Sequence, residues 1–250
     1  MEKTNPFKNS QIIILGFSIA AAAVLSTIIL SKTLIQMKRF SQEMISVTGS
    51  AEQNITSDYA VWRGEFWRRD PLMTSAFAAA KEDLKKVREY LIAKGVRESD
   101  IVAAQASTSI LYKKNEKGND TNEIEGYQIT QSIEIRTTDV LKAAEIARLS
   151  TELIDQGIQF TSQSPEYFYT KLADLKVEML AKATENAKLR ADQMAKSTGN
   201  RIGLMRSARM GVFQITPVNS LEVSDWGVND TSSLEKKVTA VVNVSFSIAA

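Results

Sequence analysis

From Ile12 to Ser31 the chain runs through IIILGFSIAAAAVLSTIILS without one charged side chain. As a helix of about 1.5 Å per residue this segment measures about 30 Å, the thickness of a bilayer's hydrocarbon core. A cleaved signal peptide shares the basic start, the apolar centre and the small residues Ala20 to Ala23. Its apolar region usually stops after about 7–15 residues, whereas Val24, Leu25, Ile28, Ile29 and Leu30 carry this one on. The segment therefore reads as a retained single-pass anchor in the lipid bilayer, with secretion after cleavage as the alternative. The flanking cations, Lys3 and Lys8 against Lys32, Lys38 and Arg39, are too evenly matched to orient it. The organisation that follows is a short tail (1–11), an anchor (12–31), a polar helical continuation (32–43) and one folded domain (44–250).

Composition removes most catalytic chemistry. Among 250 residues there is no His and no Cys. Imidazole ligands, Ser-His-Asp triads, thiolate nucleophiles, zinc–thiolate sites and iron–sulfur clusters are all excluded. Carboxylate chemistry, a Ser–Lys pair and oxygen-ligated Mg or Ca remain. With 31 basic against 29 acidic side chains the net charge is +2, which gives no electrostatic footprint for nucleic acid. No catalytic residue, cofactor or metal ligand is assigned, and the chain reads as a non-enzyme.

Past the anchor, Met44 to Glu52 predicts a strand, and Tyr59 to Arg68 a second with aromatics on both faces. Asp70-Pro71 marks a helix start, with Asp70 as N-cap and Pro71 in the first turn. Behind it Met73, Phe77, Ala80, Leu84, Val87 and Leu91 form one apolar stripe, stopped at Lys94-Gly95. Ile101 to Tyr112 predicts a strand, Lys113 to Glu123 an exposed mobile loop, and Tyr127 to Ile135 a half-buried strand. Asp139 caps a second helix facing inward through Val140, Ala144, Ala147, Thr151 and Ile154. A short strand from Ile158 to Ser162 follows. A third helix runs from about Glu166 to Ser197, with the stripe Leu172, Leu175, Met179, Ala183, Ala187, Ala191 and Met194. Its alanines permit close approach of another element. Leu204 to Gln214 predicts a strand, Thr216 to Leu234 a long loop, and Val238 to Ile248 a strictly alternating final strand. The order predicts an α+β fold, with helices packed on a mostly antiparallel sheet.

Four groups offer themselves as sites. Trp62, Phe66 and Trp67 with Arg63, Arg68 and Arg69 form either an aromatic–basic binding surface or a core with arginines in water. Asp120, Glu123 and Glu125 offer oxygen ligands without the EF-hand spacing, so they read better as a solvated charge run. Lys196 beside Ser197, and Lys236 near Ser232 and Ser233, supply the residue types of a Ser–Lys dyad, but no oxyanion-hole motif accompanies them. Acceptor triplets for N-glycosylation at Asn54, Asn119, Asn229 and Asn243 occur at chance frequency.

Four stretches resemble the SIMPL-domain family, from roughly Ser46 to Ile248. They are SVTGSAEQNI with Gly49 and Glu52, KGVRESDI at Lys94 to Ile101, EGYQITQSIEI with Gly126 and Tyr127, and ATENAKLRADQMAKSTGNRIGLM ending at Gly199 and Gly203. The resemblance implies a periplasmic or surface protein of the bacterial envelope, linked to stress tolerance, with no established catalytic residues. It also places the domain on the outer side of the membrane, which the charges leave open. Many relatives resemble secreted proteins, whereas this chain's leading segment reads as retained. The anchor, the aromatics on both strand faces and the two long loops predict a homo-oligomer larger than a dimer, acting as a scaffold or binding module with an unidentified protein partner. A carboxylate or Ser–Lys hydrolase and a sensor ectodomain are the alternatives.

Overall fold

The computed structural model describes the backbone of residues 6–42 and 44–249, and the side chains of 13–37 and 44–249. Residues 1–5 of the predicted tail, and the side chains of the flanking cations Lys3, Lys8, Lys38 and Arg39, lie outside these. The first described element is α1 (Pro6–Gln42), so the predicted anchor and its polar continuation as far as Gln42 form one helix. Its stretch Ile13–Met37 is long and apolar enough to cross a membrane, with a mean hydropathy of 2.5. The hydroxyls of Ser18, Thr27 and Thr33 donate to the carbonyls of Ile14, Ala23 and Ile29 at 2.8, 2.8 and 2.9 Å. Such back-bonding leaves no hydroxyl donor of these three seeking a partner in hydrocarbon.

Then come β1 (Met44–Thr56), β2 (Tyr59–Asp70), α2 (Met73–Ala93), β3 (Ile101–Ala103), β4 (Ser107–Lys114) and β5 (Asp120–Thr137). They are followed by α3 (Val140–Leu149), β6 (Gln159–Ser162), β7 (Glu166–Phe168), α4 (Leu172–Ser197), β8 (Arg201–Met210), β9 (Gln214–Pro217) and β10 (Glu235–Ala249). The fold is α+β, and the strand pairs of both sheets whose register is resolved are antiparallel. The chain divides into two compact units, one from 51–182 and 212–240, the other from α1, 44–50, 183–211 and 241–249.

In the first unit β2 is central. It pairs with β5 from Ala60 opposite Thr137 to Asp70 opposite Tyr127, and on its other edge with β6 and β7. β3 and β4 continue the sheet beyond β5. On the face of β2 carrying Ala60, Trp62 and Phe66 lie Val87 and Leu91 of α2, Ala143 and Ile146 of α3, and Leu153. These side chains are 0 % exposed. Each large one contributes about 1.5–3 kcal/mol of transfer free energy.

Several predicted boundaries shift. β2 runs on to Asp70, whose carboxylate accepts from the Leu72 N–H at 2.8 Å, so α2 starts at Met73 instead of Pro71. The first half of α2 turns Ala76, Ala80 and Asp83 inward and leaves Met73 and Phe77 exposed. In α3 the cap is Asp139 as expected, accepting from the Lys142 N–H. The buried positions there are Ala143, Ile146, Ser150 and Leu153, not Ala144, Thr151 and Ile154. The strand predicted over Ile101 to Tyr112 breaks at 104–106, where the Gln131 amide donates to the Ala104 carbonyl. The loop predicted at Lys113 to Glu123 is instead an ordered hairpin. Lys114 pairs with Asp120, and the Asn115 carboxamide accepts the N–H groups of Lys117 and Asn119, both at 3.0 Å. Glu166 to Phe168, expected as helix, pair with Val61 to Tyr59.

In the second unit the strand order is β1-β10-β8. α4 presents the buried alanines Ala183, Ala187, Ala191 and Ala195, with Met194 exposed instead of completing the stripe. Gly49 of β1 explains the alanines. A Cβ there would lie 2.2 Å from the Ala183 carbonyl oxygen and 2.6 Å from the Ala187 Cβ. Helix and strand therefore touch backbone to backbone, which only small residues on both sides allow. The Ser50 N–H donates to Asn186 Oδ1 at 3.2 Å, and Arg190 Nη1 to the Thr48 carbonyl at 2.9 Å.

Candidate functional site

The aromatic–basic cluster on β2 splits by strand parity. Trp62 and Phe66 enter the core, each stacked with Phe160 at ring-centroid distances of 6.1 and 6.5 Å. The Trp62 indole N–H donates to Ser162 Oγ at 3.0 Å. Trp67 sits half-buried on the opposite face, with the Arg69 guanidinium 4.6 Å from its ring centroid. On that face Arg63 bridges Glu134 at 2.8 Å and Glu166 at 2.6 Å, and Glu134 also takes Arg136. Burial pushes the Glu134 carboxyl up, but hydrogen bonds from Arg136 and Arg63 outweigh it and hold the group below the usual carboxylate range. Arg68 turns to the helix side and binds Asp83. The arginines are thus largely engaged within the unit, and the cluster is not one continuous surface.

The acidic trio does not converge. Glu123 is paired with Lys113 at 2.9 Å across the hairpin, which lowers its carboxyl through the hydrogen bond and charge of that lysine. Asp120 and Glu125 line an open groove of about 560 Å³ together with Arg69 and Lys114. Among the described residues no three acidic side chains come close enough to hold a metal. Neither Ser–Lys pair assembles. Ser197 Oγ donates to the Met194 carbonyl at 2.7 Å and Lys196 pairs with Asp192 at 2.5 Å. Ser232 Oγ donates to Asp230 at 2.6 Å.

Lys236 is the buried titratable group of this region, 3 % exposed. It shares the inward parity of Val238 and Ala240, a signal already present in the alternation of β10. Its ammonium donates to the carbonyl of Tyr167 at 2.7 Å and to that of Asp230. Burial lowers its pKa, and the nearby Asp230 charge partly offsets this. With both carbonyls satisfied, Lys236 stitches β7, the 218–234 loop and β10 together.

How that loop is ordered is the feature that residue spacing does not reveal. Gln214, at the start of β9 and 9 % exposed, reads it with both ends of its carboxamide. Nε2 donates to the Ser224 carbonyl at 2.6 Å, and Oε1 accepts from the Val228 N–H at 2.9 Å. The Ile215 N–H donates to the Val228 carbonyl at 2.8 Å, and the Asp230 N–H returns to Ile215 at 2.9 Å. Held from within, the loop displays Leu221, Val223 and Trp226, which are 93, 79 and 94 % exposed. Folded chains keep single apolar side chains at the surface routinely. Three within six residues on a hydrogen-bonded loop form a presented apolar tip, a mark of interaction surfaces.

Among curated proteins no relative matches this chain. Two solved structures share limited local likeness. A hydantoinase/carbamoylase family amidase from Burkholderia phymatum is 10 % identical, with a TM-score of 0.29, over 49 % of this chain and 32 % of its own. A second amidase of that description, from Burkholderia ambifaria, is 14 % identical, with a TM-score of 0.26, over 44 % of this chain and 28 % of its own. The chain therefore spans about a third of the length of these proteins. The family model described as SIMPL, protein of unknown function (DUF541), matches residues 45–246, nearly the whole length after α1. The chain belongs to the SIMPL family.

Proposed function

We propose that this SIMPL protein is a single-pass, envelope-associated membrane protein of a bacterial cell, with its α+β domain outside the cytoplasm, and that it acts as an oligomeric scaffold or binding module. The observation that carries the reading is the ordered display of Leu221, Val223 and Trp226 on a loop clamped by the buried Gln214. Keeping so much apolar surface in water on a well-bonded loop is explained by a partner that covers it. The candidate span Ile13–Met37 supports an anchor, which would confine copies to one plane and raise their effective concentration. The dispersal of the acidic trio and of both Ser–Lys pairs supports binding over hydrolysis. A link to stress tolerance, which the family resemblance implies, belongs to the same proposal.

Two measurements test it. Protease added to intact spheroplasts should degrade the domain, and protection until lysis would reverse the orientation. The mass of the protein in mild detergent should exceed that of a dimer, and replacing the exposed Leu221, Val223 and Trp226 with Ser should lower it without unfolding the domain. A chain that stays monomeric at every concentration would overturn the scaffold reading.

A further inference from the structure

The first unit carries a hollow as well as a tip. The break between β3 and β4 leaves Ala106 beside Ala76 and Ala80 of α2, over Ile129 of β5. Side chains this small do not fill the space between helix and sheet. The result is a mostly apolar groove of about 440 Å³, walled by Phe77 and Leu84 and floored by Ala80, Ala106 and Ile129. Phe77 is 54 % exposed, a large ring that its own chain leaves half uncovered. Lys81 lines the groove and makes no ion pair among the described residues.

The loop tip has the complementary form. Trp226 and Val223 supply an indole and an isopropyl group, which a groove of this volume accommodates together. The flanking Glu222 and Asp225 are exposed and likewise unpaired among the described residues. An acidic, apolar knob and a basic-edged, apolar hole therefore lie at different places on one surface. Trp226 at 94 % and Phe77 at 54 % exposure show that the chain does not fill its own groove.

We infer that the 220–228 loop of one copy docks in the α2 groove of a second copy, with Trp226 in the hollow and Asp225 against Lys81. The inference rests on the self-associating reading above and specifies its contact. Because knob and hole are different patches, the contact is head-to-tail, and repetition closes a ring or extends a filament. A buried tryptophan in such a site carries a large share of the association free energy.

The absence of native cysteine makes the test clean. Asp225→Cys and Lys81→Cys are placed on separately tagged full-length chains, co-expressed, and bridged in membranes with a long-armed bismaleimide, because an Asp–Lys ion pair holds its Cα atoms too far apart for a disulfide. A mixed cross-linked dimer should form from this pair and not from Asp225→Cys with the control Leu141→Cys, whose position on α3 is also exposed. In detergent, Trp226→Ala should weaken association roughly 30-fold or more. Asp225→Lys should weaken it too, and Lys81→Asp in the same chain should restore it. A protein that is oligomeric by mass but gives no Asp225–Lys81 cross-link above control would overturn this contact and leave the scaffold reading standing. Trapping of Asp225→Cys on an unrelated membrane protein, with none on Lys81→Cys, would assign the loop to another partner and overturn it as well. A strictly monomeric chain would overturn both.

Discussion

Arg68 grips Asp83 with two prongs: Nη2 donates to Oδ1 at 2.8 Å, and Nε donates to Oδ2. The Asp83 side chain is 2 % exposed and that of Arg68 28 %, so a strand cation reaches under α2 to meet a carboxylate that the helix has turned inward. Donating to the Asp83 carboxylate raises the Arg68 pKa, against the lowering effect of burial. The pair is lopsided, since only Arg68 retains a path to water. Arg68→Ala should therefore cost about 3–5 kcal/mol by leaving a buried carboxylate alone, and Asp83→Ala only about 2 kcal/mol. Urea unfolding of both variants checks the order. Equal losses would show that Asp83 finds another partner.

Gly49 should tolerate no side chain. Its Cβ would meet α4 backbone at 2.2 and 2.5 Å, so Gly49→Ala should lower stability by about 3 kcal/mol or more, because backbone cannot swing aside. Gly16→Ala, with nothing within 4 Å of the added carbon, is the matched control and should leave the thermal midpoint unchanged. A Gly49→Ala midpoint equal to that of wild type would show that helix and strand part easily.

Acid should unpick the Arg63–Glu134–Arg136 network. The folded pKa of Glu134 lies below its ordinary value of 4.5. Its contribution is therefore present above about pH 4.5 and lost as pH falls through the folded value. Glu134→Gln should cost about 1–2 kcal/mol near neutral pH, and the gap from wild type should close as the solution is acidified below 4.5. A gap independent of pH would mean that the carboxylate charge is not what holds the arginines.

Gln214 should govern the order of the loop. Gln214→Ala removes the contacts to Ser224 and Val228 together. Limited proteolysis between 218 and 228 should then rise about ten-fold, while the core stays resistant. Unchanged cleavage would show that the Ile215–Val228 bonds hold the loop alone.

The legible parts of the molecule are those that depend on local spacing. An unbroken apolar run found α1, apolar periodicity found the bodies of α2 and α4 and the alternation of β10, and the alanine run of α4 announced the close approach that Gly49 completes. Boundaries failed where a side chain competes with the backbone pattern: Asp70 closes a turn instead of capping, and Gln131 interrupts a strand. The inward register of α2 slipped because an ion pair, not an apolar residue, fills the Asp83 position. The polar run Lys113 to Glu123 reads as a loop because its strands bury nothing, yet cross-strand pairing orders it. Of the proposed interaction surface, the long loop from Thr216 to Leu234 was visible in the sequence. The Gln214 clamp and the α2 groove were not, because both arise from residues that only the folded chain brings together.

The placement of β10 sets a timetable for biogenesis. In the second unit it lies between β1 and β8, and Ser46 Oγ meets Ser245 Oγ at 2.8 Å across a separation of 199 residues. Contacts this distant are slow to form, and here they wait until the ribosome has made Val241 to Ala249. The pairing of β2 with β5 closes within Ala60 to Thr137, and so it becomes available much sooner. A nascent chain thus carries the Val47–Gly49 edge unpartnered until β10 has been made. That interval is when a holdase would be needed most.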